Sequence, residues 1–132
     1  MLDRARFETL AYAALRIVAG FMFLWHGSQK LLGFPGNKPP PELFSQMWFG
    51  GIIELIGGAM IALGLLTRPA AFLASGTMAV AYIQFHWKGA FGADFLPLVN
   101  KGEAAVLYCF VFLLIFARGA GPISIDRHLG RA

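Results

Sequence analysis

Four apolar stretches, each near the length of a bilayer crossing, constrain this chain more than any single motif. They run from Tyr12 to Leu32, Trp48 to Leu66, Pro69 to Trp87 and Glu103 to Ala117. A hydrocarbon core about 30 Å thick takes roughly 20 helical residues, and shorter runs are accommodated by snorkelling flanks or local thinning. A soluble domain of 132 residues would need polar outer faces that these stretches lack. Hydrophobic residues make up 58% of the chain, charged residues only 14%, and mean hydropathy is +0.64, whereas soluble domains use about 45–50% apolar residues. The expected fold is all-α: an integral membrane four-helix bundle, one domain over residues 1–132, with helices at 12–32, 48–66, 69–87 and 103–117.

The punctuation agrees with this division. GFPGNKPPPE, residues 33–42, cannot continue a helix and reads as a true loop. LTRPA is a tight turn, with Pro69 in the first turn of the third helix, where its missing N–H would be unpaired anyway. Residues 86–103 form the last connection, and Trp87, Phe91, Phe95 and Leu96 suit a loop lying in the membrane interface. With four spans, Arg4, Arg6, Arg16, Arg68, Arg118, Arg127 and Arg131 fall on one side and Lys30, Lys38, Lys88 and Lys101 on the other. Cations favour the cytoplasmic face, so both termini are expected there. MLDRARFETL carries acidic residues and leads into a long helix without a small-residue cleavage site, so it does not read as a removable signal peptide.

Several function classes are disfavoured by the residue inventory. Cys109 is the only cysteine, which leaves no internal disulfide, CxxC pair or thiolate cluster. It lies in an uncharged apolar run and reads as a packing residue without an activated thiolate. The net charge of +4 does not point to nucleic acid, because the basic residues are scattered at segment ends and form no stripe; anionic headgroups and topology account for them.

Polar groups within the spans are unevenly placed. His26 and Lys30 end the first helix, Glu54 lies early in the second, Gln84 and His86 end the third, and Asn100 and Glu103 begin the fourth. All fall on the outer side. Arg16, Gly20, Phe23, Gly27 and Lys30 recur at steps of three and four, as do Gly50, Glu54, Gly57, Gly58 and Ile61. Small residues on such faces let helices approach closely, so Lys30 and Glu54 are expected to point inward, with Lys30 or His26 as the partner of Glu54.

Ionisable groups at membrane depth are candidates for function, although an ion pair can equally hold two helices together. His26, Lys30, Glu54, His86, Asn100 and Glu103 are therefore the candidates for ligand binding or proton relay; Gly27, Arg68 and Pro69 read as structural, and no catalytic residue is assigned. Two histidines at similar depth could ligate haem, and His26, Glu54, His86 and Glu103 could hold a divalent metal, but no ligand spacing supports either, so haem and metal are disfavoured. NKGE, residues 100–103, has the form of a capping box for the fourth helix. The Phe and Tyr residues, including Tyr82 and Tyr108, read as packing and lipid contacts, although an aromatic pocket near His26 and Glu54 would suit a quinone ring.

FLWHGSQKLLGFPG (23–36), GGIIELIGGAMIALGLLTRPAA (50–71) and NKGEAAVLYCFVFLLIFARGAGPISID (100–126) closely resemble the DoxX family. The resemblance covers roughly Leu15 to Asp126. It implies a four-helix protein of the bacterial inner membrane, in a family named for a subunit associated with thiosulfate:quinone oxidoreduction. It also directs attention to His26, Gly27, Lys30, Glu54, Arg68, Pro69, Asn100 and Glu103.

Two functions then compete. In the first, a membrane subunit of a quinone-linked or thiol redox complex binds a quinone at the outer polar cluster and exchanges protons, while a partner supplies electrons; alone it would not be an enzyme. In the second, a structural or assembly subunit uses the cluster to fix helix register and docks another membrane or redox protein, or a second copy of itself. Passage of a small molecule is disfavoured because four short helices enclose little volume.

Overall fold

The computed structural model describes residue 1 and residues 3–131, and among these the regular structure is entirely helical. The elements are α1 (Arg4–Leu32), α2 (Gln46–Leu63), α3 (Thr67–Ala81), α4 (Pro97–Asn100), α5 (Glu103–Arg118) and α6 (Ile125–His128). By length and composition, α1 and α2 are each apolar enough to cross a membrane.

The ends follow from local chemistry. Helix α1 starts at Arg4, ahead of the expected Tyr12, because the Asp3 carboxylate accepts a hydrogen bond from the Arg6 N–H at 2.8 Å and caps the polar first turn. It stops at Gly33, which is left-handed at φ 71°. Helix α2 is capped by Ser45, whose hydroxyl accepts from the Trp48 N–H. It ends at Leu63 rather than Leu66, because Gly64 is also left-handed at φ 71°. Helix α3 begins at Thr67, which leaves Arg68 and Pro69 exposed in its first turn.

The long helices pack in chain order: α1 against α2, the middle of α2 against α3, and α3 against α5. Phe23, Ile61, Ala71, Ala74, Phe112 and Ile115 form the buried centre. Many large apolar side chains face outward instead, among them Val18, Phe21, Phe72, Leu107 and Phe110. Such an apolar outer surface is suited to hydrocarbon.

Helices α1 and α2 meet backbone to backbone. A Cβ added to Gly20 would lie 2.5 Å from the Ala62 nitrogen, and one added to Gly58 would lie 2.6 Å from the Leu24 nitrogen. Gly27 meets the Leu55 backbone equally closely. The contact stripe on α2 thus includes Gly51 and Gly58, while Gly50 and Gly57 approach no other helix, contrary to the expected face. At 3.6 residues per turn adjacent positions lie about 100° apart, so the face that carries Gly51 and Gly58 turns Gly50 and Gly57 away from α1.

A polar network closes the other end of the molecule. Arg16, fully buried, donates to the carbonyls of Ile61 and Ala62 and to that of Ile123. The first two are carbonyls of the last turn of α2, where a cation is favoured. The Asp126 carboxylate accepts from the N–H groups of Leu66 and Thr67 and from the Thr67 hydroxyl. The C-terminal segment thereby caps α3 and is pinned to the end of α2.

Candidate functional site

The polar residues of the opposite end depend on two departures from α-helical winding. Residues Ile53–Gly57, within α2, and Tyr82–Trp87, continuing α3, wind as π-helical turns. The first carries Glu54; the second carries Gln84 and His86. Such turns re-aim side chains and are frequent at functional positions.

Glu54 is 3% exposed and faces α1, where Lys30 Nζ donates to its Oε1 at 2.8 Å. Lys30, not His26, is therefore the partner. The Lys30 side chain keeps 35% of its exposure, so Lys30 is the wetter member of the pair and the carboxylate lies deeper. Glu54 Oε2 and the Tyr108 hydroxyl are buried with no hydrogen-bond partner among the described residues.

Both residues belong to the wall of a cavity of about 800 Å³ between the four long helices. His26, Lys30, Gln46, His86 and Lys101 bring polar groups to it, and Phe23, Ile53, Phe72, Met78 and Phe85 supply much of the apolar wall. A second cavity of about 620 Å³ lies between α1 and α5 and shares His26, Ala104 and Tyr108 with the first. His26 is exposed and packs edge-on to Tyr108, with ring centroids 5.9 Å apart. A mostly apolar concavity with a few convergent polar groups is the usual form of a small-molecule site.

The remaining candidates divide. His86 lines the main cavity, with Nδ1 3.2 Å from the Asn100 carbonyl and its ring stacked on Tyr82. Asn100 braces the connection: its amide donates to the Tyr82 hydroxyl at 3.1 Å and to the Asp94 carbonyl at 3.0 Å, while its Oδ1 accepts from the Gly102 N–H at 2.9 Å. The expected capping box does not form. Asn100 ends α4, Lys101 turns left-handed at φ 63°, and Gly102 is the N-cap of α5, without a side-chain cap. Glu103 is exposed and outside the walls of both cavities, since its position in the first turn of α5 points it away from α2 and α3. Gly27 serves the α1–α2 contact, and Arg68 and Pro69 lie at the far end of α3.

Sequence reading missed Gln46 and Lys101 at the cavity, and missed the Arg16 and Asp126 network. A basic residue at the membrane-facing end of the loop before the fourth helix was a usable signal for Lys101. Nothing local identified Asp126, whose partners are about 60 residues away. Among the described residues, no three His, Cys, Asp or Glu side chains converge as a metal site would require.

The family model described as DoxX matches residues 11–87. An uncharacterized protein of Haemophilus influenzae is 41% identical over 119 residues, covering 86% of this chain and 87% of that protein. Two proteins of Escherichia coli are also similar. Inner membrane protein YqjF is 27% identical over 130 residues, covering 96% of this chain and 97% of its own, and inner membrane protein YphA is 30% identical over 121 residues, covering 85% of each. No solved structure matches the chain.

Proposed function

This chain belongs to the DoxX family, and from that membership we propose that it is a four-helix protein of the bacterial inner membrane whose polar-lined cavity binds a quinone-like molecule in association with a membrane redox partner. Its relatives of nearly equal length are named inner membrane proteins. Both termini face the cytoplasm in this reading, which places Lys30, Glu54, His86 and Lys101 toward the outer face. Reporter fusions after Arg131 and near Asn37 test the topology: an active periplasmic reporter at the C-terminus would reverse it.

The observation carrying the binding assignment is the Lys30–Glu54 pair set in the wall of the 800 Å³ cavity, with Glu54 Oε2 and the Tyr108 hydroxyl unpartnered. The donor set fits a quinone and its reduced form. Lys30, Lys101, Gln46 and Tyr108 can donate to ring carbonyls, and Glu54 can accept from a ring hydroxyl. A bound quinone supplies two-electron redox chemistry; the residues of this chain hold the ring and pass protons through Glu54 and Lys30. Electrons come from the partner.

The second reading, a scaffold subunit, is favoured by the way the same ion pair bridges α1 and α2 beside the Gly27 contact. One variant separates the two: Lys30→Met with Glu54→Leu and His26→Leu. If the cluster only holds helices, apolar replacement leaves both stability and quinone reduction intact. On the binding reading the protein stays folded and quinone reduction in membranes containing the partner falls. Unchanged reduction by a well-folded triple variant would refute the redox assignment.

A further inference from the structure

The main cavity is not compact. Its wall on the α3 side is a continuous stripe from Phe72 through Gly76 and Val80 to Phe85, ending at His86. From residue 72 to residue 86 the stripe runs about 21 Å, at roughly 1.5 Å per residue. Lys30, Gln46, His86 and Lys101 all lie at one end, where α1 finishes and α2 and α5 begin. Toward the other end the stripe is apolar but for Thr77, whose hydroxyl donates to the Leu73 carbonyl of its own helix, and Phe72, Gly76 and Val80 are exposed on the flank of α3, so it is open sideways. The polarity thus changes along the length of the cavity, not across its width.

The geometry points to a ligand of matching form: an amphiphile with a compact polar head and one long hydrocarbon tail, the head among Lys30, Glu54 and His86 and the tail lying along α3 toward Phe72. The assignment rests on the head-group reading above and extends it, because a compact water-soluble molecule would leave most of the stripe unused. Fluid lipid is as apolar as the stripe, so hydrophobicity alone does not select the tail. Selection comes from shape, since a concave wall offers a chain more close contacts than fluid lipid does, and from tethering, since the seated head holds its own tail at high effective concentration.

Gly76 permits a clean test. A Cβ there meets nothing within 4 Å, so Gly76→Phe can fill the stripe without displacing backbone, far along α3 from the polar end. Val80→Trp, at a half-exposed position, is a second filler should the first fold poorly. The full-length protein in detergent is titrated by native mass spectrometry with a decyl-tailed benzoquinone and with the same benzoquinone lacking the tail. The wild type is expected to bind the tailed ring at least about tenfold more tightly. Either filler should bring the tailed ring down to the tail-less level while leaving the tail-less ring unchanged. The assignment is overturned if the tail adds nothing in the wild type, as when a bilayer lipid fills the stripe, or if its gain survives both fillers. Equal losses for both rings would mean that the stripe holds the head, which also overturns it. If the wild type binds the tail-less ring alone, only the tail assignment fails; if it binds neither ring, the head-group reading fails with it.

Discussion

Lys30→Met and Glu54→Leu should destabilise the protein by unequal amounts, and the two together by less than the sum of the single losses. At the observed N–O distance of 2.8 Å, an effective dielectric constant of about 20 gives about 6 kcal/mol of attraction. Desolvation of the two groups offsets most of this, because the effective penalty is several kcal/mol per buried ion. The division of that penalty is asymmetric: Glu54 is 3% exposed, and the Lys30 side chain 35%. Removing Lys30 strands a buried carboxylate and should cost about 3 kcal/mol, the lower end of the range for broken buried pairs because the pair is partly wet. Removing Glu54 leaves a flexible lysine that can swing its ammonium to the rim, at about 1 kcal/mol. The double variant, with apolar groups of similar volume, should fall within about 1 kcal/mol of the wild type, a coupling of about 3 kcal/mol. Reversible unfolding in mixed micelles measures all four corners of the cycle. Additive losses would show that the two residues do not act as a pair, and a larger loss for Glu54→Leu than for Lys30→Met would refute the burial argument.

The Asp126 carboxyl is pushed up by burial, but the N–H and hydroxyl of Thr67, the N–H of Leu66 and the charge of Arg131 outweigh this and hold it below the usual carboxylate value. Its contribution is therefore present above the unfolded value of about 3.9 and lost as pH falls through the lower folded value; Asp126→Asn should cost about 2 kcal/mol at neutral pH and flatten that acid limb in an unfolding titration. Two neighbouring glycine classes should behave oppositely. Gly58→Leu drives a side chain into the Leu24 backbone and should cost about 3 kcal/mol, whereas Gly50→Ala, with nothing within 4 Å of its Cβ, should be neutral or stabilising by up to about 1 kcal/mol through helix propensity; yield and melting temperature in detergent compare them.

Sequence alone determined the helical character of the chain, the two helices long and apolar enough to cross a membrane, and its family. Apolar run length, Gly and Pro punctuation and residue spacing are local quantities, and the bilayer leaves few alternatives to a helix for such runs. The inward aim of Glu54 was legible for the same reason, since a charge on a glycine-rich helical face has few tolerable positions in lipid. Tertiary structure decided what spacing cannot express. It chose Lys30 over His26 as the partner of Glu54, because the ammonium reaches the carboxylate across the α1–α2 contact while His26 turns toward Tyr108. It replaced the capping box of Asn100 and Glu103 with a brace onto Tyr82, because Lys101 reverses the chain before α5 begins. It also joined Asp126 to Thr67 and Arg16 to the end of α2. Those bonds join side chains to backbone groups far away in sequence, and an N–H or C=O at a helix end carries no residue label by which a distant partner could be read in advance.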